Sequence, residues 1–220
     1  YWYPVWLCYP AGMLPDSRVV DAPPHRISIE QTVEIAKDFE LLVLFTSTPG
    51  FNVDVKMAEM MRDANPNLQV CFVGPPVTTE PEKTLRASSV IDFVVRREFD
   101  HQIVNYAKGA KLEDLPGVSF RKDGGIVNNP EGGFIEDLDS LPWVTDVYKR
   151  DLDITRYNVP FLKHPFVSMY TSRGCPAMCT FCLWPQTHSG HRWRLRSSTD
   201  VVNEVRSTIE KFPGLKEIFF

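Results

Sequence analysis

The sequence has no excess of basic residues, because 24 lysines and arginines are balanced by 28 aspartates and glutamates. Proteins that bind nucleic acid normally concentrate positive charge on one face, so we expect no nucleic-acid partner. No apolar run approaches the roughly 18–20 residues that span a bilayer. We therefore predict a cytoplasmic protein without a transmembrane segment, and its 43% apolar residues suffice for a sizeable core.

Cysteines are few and unevenly placed. Only five occur, and Cys175, Cys179 and Cys182 fall within eight residues. A secreted disulfide scaffold would use an even number spread along the chain, whereas clustered thiols in a reducing compartment usually bind metal or carry redox chemistry. Cys8 and Cys71 stand in apolar company, and for both we predict buried packing.

Both ends of the sequence read as interrupted. Tyr1 lies in an aromatic run, and residues 215–220 have the pattern of a strand with no turn after it. A core strand needs neighbours with which to pair. We therefore expect this chain to be a piece of a longer protein and to be inactive alone.

Residues 17–107 alternate strand and helix patterns with short connections. Strands are predicted at 17–21, 41–45, 69–73 and 91–95, and helices at 28–37, 53–64, 81–88 and 99–108. Four strand–helix repeats indicate an α/β fold, a doubly wound parallel sheet with helices on both faces.

The pattern changes after residue 112. Residues 117–128 predict a β-hairpin on the Asp123-Gly124 turn, followed by a linker to residue 165. A strand at 166–171, the cysteine loop, a helix at 199–212 capped by Ser198 or Thr199, and a strand at 215–220 predict the start of a βα barrel. The predicted domains are 1–112, with its first strand missing, 113–165 for hairpin and linker, and 166–220 for the truncated barrel.

The spacing of the clustered cysteines brings three thiolates within reach of one metal cluster. Thiolates ligate 4Fe–4S clusters, which commonly take four, so three would leave one iron open to a substrate or cofactor. The alternative is a zinc site completed by His188 or His191, although no second Cys or His pair is present. A disulfide is the least favoured interpretation.

The motif Cys-x-x-x-Cys-x-aromatic-Cys, after a strand and Ser-Arg-Gly, resembles that of the radical S-adenosylmethionine enzymes. The resemblance implies that Cys175, Cys179 and Cys182 bind a 4Fe–4S cluster whose fourth iron is chelated by S-adenosylmethionine. It also implies that Phe181 helps to seat the adenine. An external electron donor would drive cleavage to a 5′-deoxyadenosyl radical, and the cofactor carries that chemistry.

The N-terminal α/β pattern is similar to that of the cobalamin-binding group of these enzymes. The resemblance implies that the carboxyl ends of the strands hold the corrin, through residues Thr46, Ser47, Thr48, Gly74 and Glu98. No Asp-x-His-x-x-Gly motif is present, so no histidine is assigned to cobalt. Related chains often have His and Gly at the positions of Pro76 and Arg97. A glycine lets the backbone come close to a ligand, so a bulky Arg97 would obstruct the predicted corrin site.

Several stretches look like the radical enzymes of hopanoid biosynthesis, namely residues 2–6, 9–14, 45–51, 146–153, 180–187 and 189–191. The resemblance implies contraction of an amino-sugar ring on a bacteriohopanetetrol lipid to a cyclitol ether. A lipid-linked amino sugar would bring the protein to the inner membrane surface. Two alternatives remain: another cobalamin-dependent enzyme such as a methyltransferase, and a non-catalytic zinc-binding module. No general acid or base is identified.

Two minor features complete the candidate residues. Arg192, Arg194 and Arg196 alternate, which would place three guanidinium groups on one side of an extended segment. They would hold a carboxylate or a polar head group, or form a solvated edge. His25 and His101 are isolated histidines for which no function is expected.

Overall fold

The computed structural model describes residues 1–220. In chain order the strands are β1 Leu41–Phe45, β2 Gln69–Val73, β3 Phe93–Val95, β4 Val118–Lys122, β5 Gly125–Asn128, β6 Phe166–Ser168, β7 Ser172–Arg173, β8 Arg194–Leu195 and β9 Glu217–Phe219. The α-helices are α1 Val5–Gly12, α2 Ala22–His25, α3 Ile29–Ala36, α4 Phe51–Ala64, α5 Pro75–Thr79, α6 Pro81–Ala87, α7 Asp100–Ala107, α8 Val144–Asp151 and α9 Ser198–Lys211. A π-helix spans Pro185–Ser189, and short 3-10 turns span Leu112–Asp114, Leu138–Ser140 and Ile154–Arg156.

The chain divides into two compact units that are interleaved in sequence. Residues 29–135 and 174–193 form one, here called the sheet unit. Residues 1–28, 136–173 and 194–220 form the other, here called the terminal unit. These limits differ from the predicted domains, which are continuous stretches, and they place the cysteine loop in the sheet unit.

The sheet unit contains a five-stranded sheet in the order β1-β2-β3-β4-β5. The first three strands are parallel and β4 and β5 are antiparallel. The predicted α/β class is confirmed, and the predicted parallel sheet is found in β1–β3, with β4 and β5 added as antiparallel strands. The hairpin, predicted to lie beside the linker, instead extends this sheet, and its Asp123-Gly124 turn has the positive φ angles of 50° and 78° that a type I′ turn requires.

The core of the sheet unit lies on both faces of β2, whose buried apolar side chains alternate between the two faces. Val70 and Phe72 pack into the cluster formed with α4 and α6, while Cys71 and Val73 face the opposite way, and all four are fully buried. β1 was predicted to be covered on both faces, but its five residues are only half-buried. It forms the end of the sheet and therefore lacks a neighbour on one side.

One predicted strand is absent. The Ser17 hydroxyl donates to the carbonyls of Ala11 and Leu14, and the backbone N–H of Val19 donates to the Asp151 carboxylate at 2.8 Å. Because these groups are bound elsewhere, residues 17–21 do not pair with another strand. The sheet therefore has three parallel strands instead of the predicted four. The following Ala-Pro-Pro-His, predicted as a loop, forms α2, because proline is tolerated in the first turn of a helix.

The terminal unit contains the predicted strand–helix–strand element. β6 and β9 are parallel and are connected through α9, and β7 pairs with β8. The N-cap of α9 is Ser197 instead of Ser198 or Thr199, since its Oγ accepts from the Asp200 N–H at 3.1 Å. No helix in the structure combines the length and apolarity that crossing a membrane requires.

Candidate functional site

The carboxyl ends of β1, β2 and β3 meet at one edge of the sheet, which we call the carboxyl edge. Thr46 follows β1, and its N–H donates to the carbonyl of Val73 at 2.9 Å. The buried Thr46 hydroxyl donates to Asp54 Oδ2 at 2.6 Å, while partial burial raises the pKa of that carboxyl. Ser47 and Thr48 are exposed at this edge. The structure therefore gathers the predicted residues of β1 and β2, and their contact with a corrin stays a prediction.

Gly74 turns the chain directly from β2 into α5. Its φ is +116°, and a Cβ at this position would lie 2.3 Å from the carbonyl oxygen of Thr46. Pro75 and Pro76 occupy the first turn of α5, where a missing N–H costs nothing. The turn between β2 and α5 is therefore the single residue Gly74, and Pro76 lies in the first turn of the helix.

We expect Gly74→Ala to lower the free energy of unfolding by about 2–4 kcal/mol, because a left-handed backbone and a steric clash act together. Urea denaturation would measure the loss. Gly109→Ala is the matched control, since Gly109 has φ +95° and a methyl group added there would meet nothing within 4 Å, so that only about 1 kcal/mol of backbone strain remains. Equal losses in the two variants would show that the approach to Thr46 does not matter.

Arg97 occupies a backbone conformation that glycine favours. Its φ is +61°, its N–H donates to Thr78 Oγ1 at 2.9 Å, and its Nε lies 3.0 Å from Glu131 Oε2. A glycine at this position in related chains would satisfy the same left-handed geometry without strain. The side chain of Arg97 is half-buried and engaged with residues of the sheet unit.

Glu98 is buried and binds the chain itself. Its Oε2 accepts the N–H of Ile135 at 2.8 Å, which satisfies a backbone donor. This carboxylate therefore has a structural role, and the predicted contact with a corrin stays a prediction.

The cysteine loop presents three free thiols. Cys175 and Cys179 are exposed and Cys182 is half-buried. The N–H of Cys175 donates to the Gly190 carbonyl at 3.1 Å, and that of Cys182 to the Cys179 carbonyl at 3.2 Å. No three Cys, His, Asp or Glu side chains are gathered into a group able to hold a metal ion.

The donor set nevertheless fits an iron–sulfur cluster in its chemistry. Three unbridged, accessible thiols on one short loop are the ligands that such clusters take, and no disulfide competes for them. The exposed fraction of Phe181 is 89%, so its ring is open to a ligand. The zinc alternative gains no support, because His188 is buried with Nδ1 3.2 Å from the Arg97 carbonyl oxygen and neither His188 nor His191 is gathered with the cysteines into a metal-holding group.

The segment after the third cysteine packs against the carboxyl edge. The π-helix Pro185–Ser189 lies against α5, which begins immediately after Gly74. The ring of His188 lies 6.0 Å from that of Phe99 and 5.9 Å from that of Trp184, measured between centroids. The cysteine loop and the predicted corrin site thus share one compact unit.

The three alternating arginines do not form the predicted charged surface. The three arginines do not present guanidinium groups on one side, because Arg194 is buried, Arg192 is exposed, and Arg196 is held by Asp200 at 2.6 Å and Glu204 at 2.6 Å.

Neither isolated histidine has an evident function. Both ring nitrogens of His25 are bonded, to the carbonyl of Asp21 and the N–H of Asp153, which indicates a structural role. His101 is exposed on α7.

We expect iodoacetamide to alkylate Cys175, Cys179 and Cys182 at least ~100-fold faster than Cys8 and Cys71 in the folded, cofactor-free protein. The latter two are fully buried, and burial raises the pKa of each thiol, so little reactive thiolate forms. Peptide mass spectrometry of timed samples would give the rates, with urea-unfolded protein as the control. Comparable alkylation rates at all five cysteines of the folded protein would contradict the burial of Cys8 and Cys71.

The chain is similar to several known proteins. Residues 1–107 match the family model of the B12 binding domain. The chain is 31% identical over 227 aligned residues to an uncharacterized methyltransferase of Pyrococcus horikoshii, covering 99% of this chain and 48% of that protein. It is 24% identical to the anaerobic magnesium-protoporphyrin IX monomethyl ester cyclase of Cereibacter sphaeroides, covering 96% of this chain and 36% of that enzyme. The chain thus spans about half, or less, of the length of these relatives.

Two solved structures have a similar fold. The cobalamin-dependent S-adenosylmethionine radical enzyme OxsB superposes with a TM-score of 0.74 at 16% identity, covering 99% of this chain and 31% of that one. The radical S-adenosylmethionine methyltransferase TsrM from Kitasatospora setae superposes with a TM-score of 0.68 at 16% identity, covering 94% and 43%. The N-terminal part of the chain therefore carries a B12-binding type of domain, and the chain as a whole shares the fold of cobalamin-dependent radical enzymes.

The sequence interpretation missed the segment 129–135, which contacts both the carboxyl edge and the cysteine loop. Its only local signal is Gly132-Gly133 between an acidic and an aromatic residue, a pattern typical of any loop.

Proposed function

We propose that this chain belongs to a cobalamin-dependent radical S-adenosylmethionine enzyme of hopanoid lipid biosynthesis, which contracts an amino-sugar head group to a cyclitol ether. The observation that carries the enzyme class is the position of the cysteine loop in one compact unit with a B12-type sheet. The hopanoid assignment rests on the sequence stretches that resemble that group.

The proposed function uses two sites, the cysteine loop and the carboxyl edge of the sheet. Cys175, Cys179 and Cys182 would hold three irons of a 4Fe–4S cluster. Such a cluster, once reduced by an external electron donor, would supply the electron for reductive cleavage of bound S-adenosylmethionine. The exposed ring of Phe181 would stack on the adenine, while Ser47 and Thr48, exposed at the carboxyl edge, would bind polar groups of the corrin.

A second function, methyl transfer to an unreactive carbon, is favoured by two similarities. A relative 31% identical over almost the whole chain is named a methyltransferase, and so is one structural neighbour. Both candidate functions use the same cysteine loop and carboxyl edge, so they differ in substrate and product.

Anaerobic purification of the full-length protein tests the enzyme class. We expect a brown protein with about four irons and four sulfides per chain that cleaves S-adenosylmethionine when reduced. Stoichiometric zinc without iron would refute the proposal. With a glycosylated hopanoid and added cobalamin, a cyclitol ether supports ring contraction, whereas a methylated product supports the methyltransferase.

A further inference from the structure

A short segment of the sheet unit spans the end of β3. We call residues 129–135 the strap. It begins at Asn129, whose side-chain amide donates to two backbone carbonyls at 2.7 Å, and ends at Ile135, whose N–H donates to Glu98. Both ends of the strap are therefore fixed to the sheet unit through buried or partly buried hydrogen bonds.

Arg97 holds the middle of the strap. Its Nε lies 3.0 Å from Glu131 Oε2, and its guanidinium carbon lies 5.8 Å from the centre of the Phe134 ring. Arg96 contributes a further ion pair to Glu131 at 3.2 Å. An arginine over an aromatic face is attracted by the ring electrons, so these contacts determine where Phe134 lies.

The ring of Phe134 fills the space that a side chain at Gly190 would need. A Cβ built on Gly190 would lie 2.5 Å and 2.6 Å from two ring atoms, closer than carbon atoms approach. Gly190 is buried and has φ +69°. Two independent reasons, the backbone conformation and the ring, therefore require glycine here.

Gly190 in turn closes the base of the cysteine loop. Its carbonyl accepts the N–H of Cys175, and a Cβ on the neighbouring Gly174 would lie 2.0 Å from the Arg192 carbonyl oxygen. The two ends of the loop thus meet backbone to backbone. The position of Gly190 therefore fixes the position of the Cys175 backbone, at the start of the cysteine loop.

We propose that Phe134 is a positioning residue for the cysteine loop. Arg97 at the carboxyl edge holds the Phe134 ring, the ring holds Gly190, and Gly190 holds the backbone of Cys175. The strap thereby sets the placement of the cluster ligands relative to the end of β3. The role of this contact in placing cluster ligands rests on the proposed function, whereas the contact between Phe134 and Gly190 does not.

The contact is tested by hydrogen exchange on the cofactor-free, full-length protein. We expect Gly190→Ala to speed exchange of the Cys175 amide by about 10- to 100-fold, since the added methyl overlaps the Phe134 ring. Gly124→Ala is the control, because Gly124 has φ +78° and nothing within 4 Å, and it should leave that amide unchanged. Equal exchange in the two variants would overturn the proposal.

The double variant tests whether the ring is responsible. Phe134→Ala alone should also speed exchange of the Cys175 amide, because Gly190 loses its support. In Phe134→Ala/Gly190→Ala the methyl enters the vacated space, so the two effects should not add. Additive effects, or an unchanged Cys175 amide in Phe134→Ala, would show that the ring does not position the loop.

A cofactor readout separates this proposal from the proposed function. After reconstitution, Phe134→Ala should retain its iron and sulfide but bind S-adenosylmethionine about 10-fold more weakly, because displaced ligands orient the open iron poorly. Unchanged affinity with a full cluster would refute the positioning role. If the unaltered protein takes up no iron, the proposed function fails while the exchange results still decide the contact.

Discussion

We expect the Cys179→Ala variant of the full-length protein to emerge from anaerobic purification colourless. Iron and sulfide should fall from about four per chain to near zero, because two remaining thiolates cannot hold a cluster that normally takes three or four. Reductive cleavage of S-adenosylmethionine should fall to background. Iron analysis and the visible spectrum measure the first effect, and chromatography of 5′-deoxyadenosine measures the second.

The matched control is Cys8→Ala, which removes a thiol of the same chain that is fully buried. Its Sγ donates to the Pro4 carbonyl at 3.3 Å, so the change should cost about 1–2 kcal/mol of unfolding free energy and leave the iron content intact. A Cys179→Ala protein with a full complement of iron would show that Cys179 is no ligand. Loss of iron from Cys8→Ala as well would point to misfolding as the common cause.

Glu204→Ala should destabilise the terminal unit by about 2–4 kcal/mol, because it removes one of the two carboxylates that neutralise the largely buried Arg196 guanidinium and leaves the Thr145 donors unpaired. Glu204 is fully buried on α9, where Oε2 lies 2.6 Å from Arg196 Nη1 and Oε1 accepts from the N–H and hydroxyl of Thr145. Removal of the carboxylate leaves the two Thr145 donors without an acceptor, while Arg196 keeps Asp200 and the carbonyl of Tyr170. Urea denaturation followed by circular dichroism measures the loss.

Two further variants separate charge burial from helix propensity. Glu210→Ala changes an exposed glutamate near the end of the same helix and should alter the unfolding free energy by no more than about 0.5 kcal/mol. Glu204→Gln keeps an oxygen that can accept from Thr145 and should cost clearly less than Glu204→Ala, because Asp200 still neutralises Arg196 and the Thr145 donors stay paired. Equal losses in Glu204→Ala and Glu210→Ala would contradict the structure at this ion pair.

The elements that the sequence predicted best are those with a strong local pattern. β2 begins and ends at the predicted residues, because an apolar run with a following Gly-Pro allows few alternatives. The Asp123-Gly124 turn was equally clear. The spacing of the three cysteines marked their loop as a candidate metal site, although no sequence pattern indicated how that loop would fold.

The elements that the sequence did not predict depend on distant partners. α1 contains Pro10 and is apolar on all sides, so it shows no helical periodicity, and its Trp6 and Tyr9 rings lie under the guanidinium of Arg173. The contact between Phe134 and Gly190 is likewise made between segments far apart in the chain. No local signal marks either contact, because each depends on how the whole unit packs.

The interleaving of the two units limits how the protein can be divided into fragments. The chain passes from one unit to the other after residues 28, 135, 173 and 193. A fragment that stops at residue 112 loses β4 and β5, and so leaves the outer edge of β3 without a neighbour. A fragment of 29–135 keeps the sheet whole but loses the cysteine loop, which returns only after the terminal unit has supplied β6 and β7. A single cut therefore cannot separate the B12-type sheet from the cysteine loop and leave both units whole, so binding studies of this protein need the uncut chain.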